Sequence, residues 1–267
     1  MIEIPFIGQA YSMDALDVSA QTCKNMYPEV YDDGKTKTVT SLRSTAGLAS
    51  WGTVSGSWFM RCLYLASTGT LFGVRGNQVS TFDSAGSETT RFNMVEGDKS
   101  TEQGIVRMAD NGTQMLIVTG TATAYTYNLS TNTETIITDS AYPTNGTHVA
   151  FLDGYYLVND PNTLFVYYSA QDDPTSWNAT DRLSKEGSSD YVNALIAHNR
   201  RLWVFGEQSY EVFYNTGDSN NQFLRIEGTY HNIGCEAPDS VAENGNSVYW
   251  LGADGQGFGQ VFRPLGS

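Results

Sequence analysis

"VRMADNGTQMLIVTGTATAYTY", Val106 to Tyr127, decides the fold. It reads as a short apolar run, an Asn-Gly turn, the strongly apolar run "MLIVTG" (Met115 to Gly120), a second turn and an aromatic run. Asn-Gly supplies the positive φ angles of a two-residue hairpin, and aromatic and β-branched residues suit a pleated surface. Three short antiparallel strands follow. "MLIVTG" lacks polar alternation, which predicts a strand buried on both faces. One small sheet cannot cover both of its own faces, so it needs a neighbour on each side.

The neighbours stand elsewhere in the chain. The same design recurs in "RCLYLASTGTLFGVRGNQVSTF" from Arg61, "VAFLDGYYLVNDPNTLFVYYS" from Val149, "ALIAHNRRLWVFGEQSYEVFY" from Ala194 and "SVAENGNSVYWLGADGQGFGQVF" from Ser240. The first turn falls at Gly69, Gly112, Gly154, Arg200 and Gly245, about 43, 42, 46 and 45 residues apart. That period is the range of propeller blades and too long for a hexapeptide β-helix. The expectation is an all-β chain, a β-propeller of four-stranded blades with about five repeats over residues 51–267. Residues 1–50 are polar and turn-rich, and are expected to form an extended N-terminal arm or a ring-closing segment. The chain stops just after the fifth aromatic strand, so truncation of a longer protein is expected.

Composition fits short strands joined by turns. Charged residues make up only 16%, against 26 Gly and 16 Tyr, and helix-forming runs are scarce. The net charge of −14 argues against a nucleic-acid surface, which needs cations to neutralise phosphates. The one cluster of cations is "NRR", Asn199 to Arg201. Cys23, Cys62 and Cys235 are widely spaced without a C-x-x-C pair, and His148, His198 and His231 stand far apart. Neither set predicts a metal site or a disulfide framework. No cofactor motif appears: G-x-S-x-G and the P-loop are absent, and "GADGQGFG" (Gly252 to Gly259) lies between strands and reads as a long turn. The opening "MIEIPFIGQAYS" lacks the basic and apolar regions of a signal peptide, and no apolar run reaches the roughly 18 residues of a membrane span. The sequons at Asn111, Asn128, Asn145 and Asn178 read as turn sequence.

Catalysis is tested on "SAQDDPTSWNATD", Ser169 to Asp181. Of the sialidase Asp-box pattern only Asp172 and Trp177 match; Ala170, Pro174 and Ser176 stand where Ser, Gly and Thr belong. Glycoside hydrolysis needs two carboxyls at a set separation. The candidates Asp153, Asp172, Asp173, Asp190 and Glu207 all lie beside turn-forming residues, where carboxylates commonly serve turns. The stretch is expected to connect the third and fourth blades, with a turn begun by Asp173-Pro174 and Trp177 packed on a neighbouring blade.

From Tyr167 to Arg263 the chain carries, in order, "DPTSW", "EG..D.V..L", "LWVFG", "EVFYNTG", "F.RI.G", "GC.AP.SVA" and "WLG.DG.G". Near the start, "NMYPE" and "LRSTAGL" follow in turn, with Ala46 where a proline is common. This order resembles the packaged-DNA stabilisation proteins of P22-like short-tailed phages, also called tail accessory factors, tail hub or head-completion proteins. The resemblance implies a non-enzymatic structural virion protein, assembled in the bacterial host cytoplasm. It implies a homo-oligomer, a hexamer in the family, attached below the portal and its adaptor ring. Such a hub helps retain packaged DNA and docks the tail needle, fibres or tailspikes; it encloses the DNA path without sequence-specific binding and involves no membrane. No catalytic, cofactor or metal residue carries over. The acidic balance suits a path along which DNA must not stick. Two rivals stand beside it. A carbohydrate-binding propeller needs Trp and Tyr in equivalent open pockets, yet Trp51, Trp58, Trp177, Trp203 and Trp250 share no repeat position. A five-bladed glycosidase needs acidic side chains converging at the centre.

Overall fold

The computed structural model describes residues 26–31, 39–45, 47, 49–52, 59–95, 104–253 and 259–264. The chain divides into two compact units, Met1–Trp51 and Gly52–Ser267. Within the first, β1 (Met26–Tyr31) and β2 (Val39–Ser44) pair as an antiparallel hairpin. Most of the expected N-terminal arm, Cys23 and Trp58 lie outside the described residues.

The second unit is a five-bladed all-β propeller. Blade 1 is β3 (Met60–Leu65), β4 (Leu71–Arg75), β5 (Gln78–Phe82) and β6 (Glu88–Asn93). Blade 2 is β7 (Arg107–Asp110), β8 (Gln114–Val118), β9 (Ala124–Asn128) and β10 (Thr133–Ile136). Blade 3 is β11 (Val149–Leu152), β12 (Tyr155–Asn159), β13 (Phe165–Ala170) and β14 (Asp173–Ser184). Blade 4 is β15 (Ala194–His198), β16 (Arg201–Phe205), β17 (Tyr210–Asn215) and β18 (Phe223–Arg225). Blade 5 shows three strands among the described residues: β19 (Ala242–Asn244), β20 (Ser247–Ala253) and β21 (Gly259–Phe262). All pairings are antiparallel, and the first strands of blades 1 to 4 approach one another in turn, so they surround the centre.

In blades 1 to 4 the second strand is buried at every residue but its first. Met115, Leu116, Ile117 and Val118 in β8, and Leu202, Val204 and Phe205 in β16, are 0–1% exposed. In blades 2 to 4 one face of the sheet packs on the preceding blade and the other on the next. Phe72, Val74 and Val79 of blade 1 share a cluster with Met115, Ile117 and Tyr127 of blade 2. Leu116 and Val118, from the other face of β8, join Tyr156 and Val158 of blade 3. Each such side chain contributes about 1.5–3 kcal/mol of burial.

The first hairpin turn matches its sequence reading. Gly69, Gly112, Gly154 and Gly245 all have positive φ, and in blade 4 Asn199 (51°) and Arg200 (57°) hold the same conformation. Arginine carries a Cβ penalty there that glycine does not. Its ion pair with Asp153 (3.2 Å) is 84% exposed on the arginine side and offsets little. Arg200→Gly should therefore raise stability by up to about 1 kcal/mol in urea unfolding.

The stretch from Ser169 to Asp181 corrects its sequence reading. It is not a blade connection: the chain turns at Gln171–Asp172, with Asp172 at φ 55°, and runs on as β14, the fourth strand of blade 3. Pro174 is tolerated because β14 is an edge strand. Trp177 does pack on a neighbour. Its ring meets Tyr142 edge-on at 5.1 Å in the blade 2–blade 3 cluster, and its Nε1 donates to the Pro174 carbonyl at 2.8 Å.

No described helix is long and apolar enough to cross a membrane. Among the described residues no three His, Cys, Asp or Glu side chains gather as metal ligands.

Candidate functional site

Antiparallel blades put their turns on two rims. One rim carries the first and third turns of each blade. The opposite rim carries the second turns and the blade-to-blade connections, and here polar side chains converge.

A hydrogen bond repeats around this second rim with the period of the blades. At the start of an inner strand, one side chain donates to a carbonyl in the connection 40–43 residues on: Arg61 Nε to Gly104 (2.5 Å), Arg107 Nη1 to Thr147 (2.8 Å) and Asn193 Nδ2 to Cys235 (2.7 Å). Each bond ties a blade to the chain entering or leaving the next. Within blade 3 the Asn159 amide oxygen accepts from the backbone N–H groups of Thr147 (3.0 Å) and His148 (2.8 Å), fastening the end of β12 to the chain that enters β11.

The connection from blade 4 to blade 5 reaches inward over this rim. It contains a short 3-10 turn, Pro238–Ser240. Asp239 pairs with Arg107 of blade 2, and the Pro238 carbonyl meets His148 Nε2 of blade 3 at 3.3 Å. One segment thus clasps blades 2 and 3. Burial, reinforced by the nearby Arg107 charge, pushes the His148 pKa down from 6.5 to about 4, so this imidazole is neutral at pH 7. The unfolded chain takes up a proton that the folded chain refuses as pH falls from about 6.5 to 4. Stability present above pH 6.5 is therefore lost across that window. Urea midpoints should drop between pH 7 and pH 5, and His148→Gln should reduce that drop.

Beside the clasp lies a cavity of about 460 Å³ lined by Asn159, Ser188, Asp190, Asn193, Glu207 and neighbours. It holds two of the five candidate carboxylates. Asp190 is committed to structure: Oδ1 takes hydrogen bonds from Lys185 Nζ (2.5 Å) and Ser209 Oγ (2.8 Å), Oδ2 from the backbone N–H of Gln208 (2.9 Å) and Ser209 (3.1 Å). Burial alone would raise its pKa, but these bonds outweigh it and hold the carboxyl down to about 2. A general acid must hold its proton near working pH, and Asp190 does not. Asp153 and Asp172 sit in turns on the opposite rim, and Asp173 caps Thr175 at 2.9 Å. The structure therefore does not bring the five together. Trp177, Trp203 and Trp250 are all buried between blades and offer no repeated stacking pocket.

Sequence reasoning missed the clasp residues Arg107, His148 and Asp239. The 40–43 residue spacing of the rim bonds was the available signal, with a strand-start donor in blades 1, 2 and 4. The two described cysteines are not reactive centres: burial raises the Cys62 thiol to about 11 and raises that of Cys235 as well.

Residues 2–263 match the model of the phage-stabilisation family described as "Bacteriophage P22 Gp10, beta-propeller". No curated protein sequence matches the chain. Among solved structures, a chain from the mitotic checkpoint complex is similar in fold. Its TM-score is 0.51 and its identity 13%, over 82% of this chain and 69% of that one. The extracellular domain of a putative hybrid two-component system from B. thetaiotaomicron gives a TM-score of 0.48 at 13% identity, over 78% of this chain and 28% of that one. The chain belongs to the P22 Gp10 phage-stabilisation family, whose members are structural phage proteins and not enzymes.

Proposed function

We propose that this member of the P22 Gp10 family is a tail hub subunit that attaches below the portal and its adaptor ring. There it helps retain the packaged genome and docks the needle, fibres or tailspikes. The observation that carries the reading is the family match over residues 2–263. The rim chemistry supports it: Arg107, Asp190, Asn193 and Asp239 spend their hydrogen bonds on holding blades together, which suits a load-bearing part. The net charge of −14 suits a ring of such subunits, six in this proposal, around a DNA path that must release its cargo.

The test is a phage lacking the protein, examined by cryo-electron microscopy and infectivity. Expected are capsids that package DNA and then lose it, without attached tail parts. Particles that keep both genome and tail in its absence would overturn the proposal. A strongly basic surface facing the DNA path in the assembled tail would remove the charge argument.

A further inference from the structure

Between blades 4 and 5, near the β15–β16 and β19–β20 hairpin turns, two cavities of about 180 and 230 Å³ adjoin. Both are lined by Arg201, Trp203 and Pro264. The smaller adds His198, Asn199, Asn246 and Ser247; the larger adds Tyr210, Trp250, Phe262 and Arg263.

Three observations converge on this groove. First, His198 (9% exposed) and Trp203 (6% exposed) each bury a ring nitrogen, Nε2 and Nε1, that has no hydrogen-bond partner. Buried polar atoms are normally satisfied, and an orphan is costly unless something occupies it. Both rings are held in place: His198 Nδ1 lies 2.9 Å from Glu243, and Trp203 packs on Tyr210 at 5.6 Å. Second, Arg201 and Arg263 are exposed and form no ion pair among the described residues, whereas their neighbour Arg200 pairs with Asp153. Third, no carboxylate lines either cavity, in a chain with 29 acidic residues.

An indole N–H and two guanidinium groups can only donate. Such a lining calls for an anionic acceptor, and the planar guanidinium matches a carboxylate. The aromatic cavity beside it offers an apolar seat. We propose that this groove binds the side-chain carboxylate of an Asp or Glu in a partner protein segment, with an adjacent apolar side chain against Trp250 and Phe262. The choice of a protein source rests on the docking role proposed above; the carboxylate chemistry does not.

The test uses the full chain and the Trp203 indole N–H resonance, assigned by its loss in Trp203→Phe. N-acetyl-Glu-Leu-amide should move this resonance, and the Gln analogue should not. Arg201→Gln should weaken binding at least tenfold, and because Arg201 is exposed its melting temperature should stay unchanged. Equal shifts from both peptides, no shift up to about 10 mM, or unchanged binding by Arg201→Gln would each overturn the site. Glucuronic acid binding as tightly as the Glu peptide would overturn the protein source. These readouts come from the isolated chain and stand apart from the virion experiment.

Discussion

Asp190→Asn should cost about 3–5 kcal/mol of stability, the largest loss expected from any single side-chain change in blade 4. The reason lies in its partner. Lys185 is 0% exposed, and its ammonium donates to Asp190 Oδ1 (2.5 Å) and to the Asp190 carbonyl (3.1 Å). The amide would leave that charge buried without a counter-ion. It would also weaken the acceptors for Gln208 N, Ser209 N and Ser209 Oγ, which fix the β16–β17 turn. A linked acid effect follows. Since the folded carboxyl titrates near 2, its stabilisation is complete above the unfolded value near 3.8 and is lost as pH falls between them. Urea unfolding at pH 7 measures the loss. The double variant Lys185→Met, Asp190→Asn should recover part of it, because it removes the buried ammonium while the amide oxygen still accepts from the Gln208 and Ser209 donors. A single-variant loss below about 1 kcal/mol would show that the pair does not hold this rim.

Gly234→Ala is the second large effect, about 3 kcal/mol or more. A Cβ at this position would lie 2.1 Å from the Glu207 carbonyl carbon, 2.2 Å from its oxygen and 2.3 Å from the Gln208 nitrogen. All three are backbone atoms, so no side chain can swing aside. The same close approach lets Cys235 N donate to the Gly206 carbonyl (2.8 Å) and Trp250 Nε1 to the Gly234 carbonyl (3.0 Å). Pushing the segment away would break both and loosen the clasp on blades 2 and 3. Gly259→Ala is the control: nothing lies within 4 Å of its Cβ, and it should stay within about 0.5 kcal/mol of the parent protein. Equal melting temperatures for the two variants would refute the packing account.

These two sites show why the sequence motifs read as they do. In "EG..D.V..L" the aspartate is Asp190 and the glycine is Gly187, whose missing side chain leaves room for Tyr230 and Glu211. In "EVFYNTG" the glutamate is Glu211, fully buried, accepting from Gly187 N at 2.6 Å. In "GC.AP.SVA" the glycine is Gly234 and the proline opens the 3-10 turn. In these three motifs the named residues are fittings that hold the blades and their connections.

What could be read from residues alone was whatever depends on neighbours in the chain. The hairpin turns at Gly69, Gly112, Gly154, Arg200 and Gly245 are local φ requirements. The doubly buried β8 and β16 are local runs without alternation, and their recurrence gave the propeller. The fourth strands were harder to read. Residues 133–136 of β10 are wholly exposed and β18 spans three residues, so neither carries an apolar pattern. β14 starts with an Asp-Pro that reads as a turn, because in the chain nothing says that its outer edge is free of hydrogen-bonding demands. The convergence of Arg107, His148 and Asp239 was beyond reach: Arg107 and Asp239 are 132 positions apart, and no local rule links them. Their meeting depends on how far each blade turns relative to the last. That angle is set by side chains interdigitating between sheets and exists only once the blades are stacked.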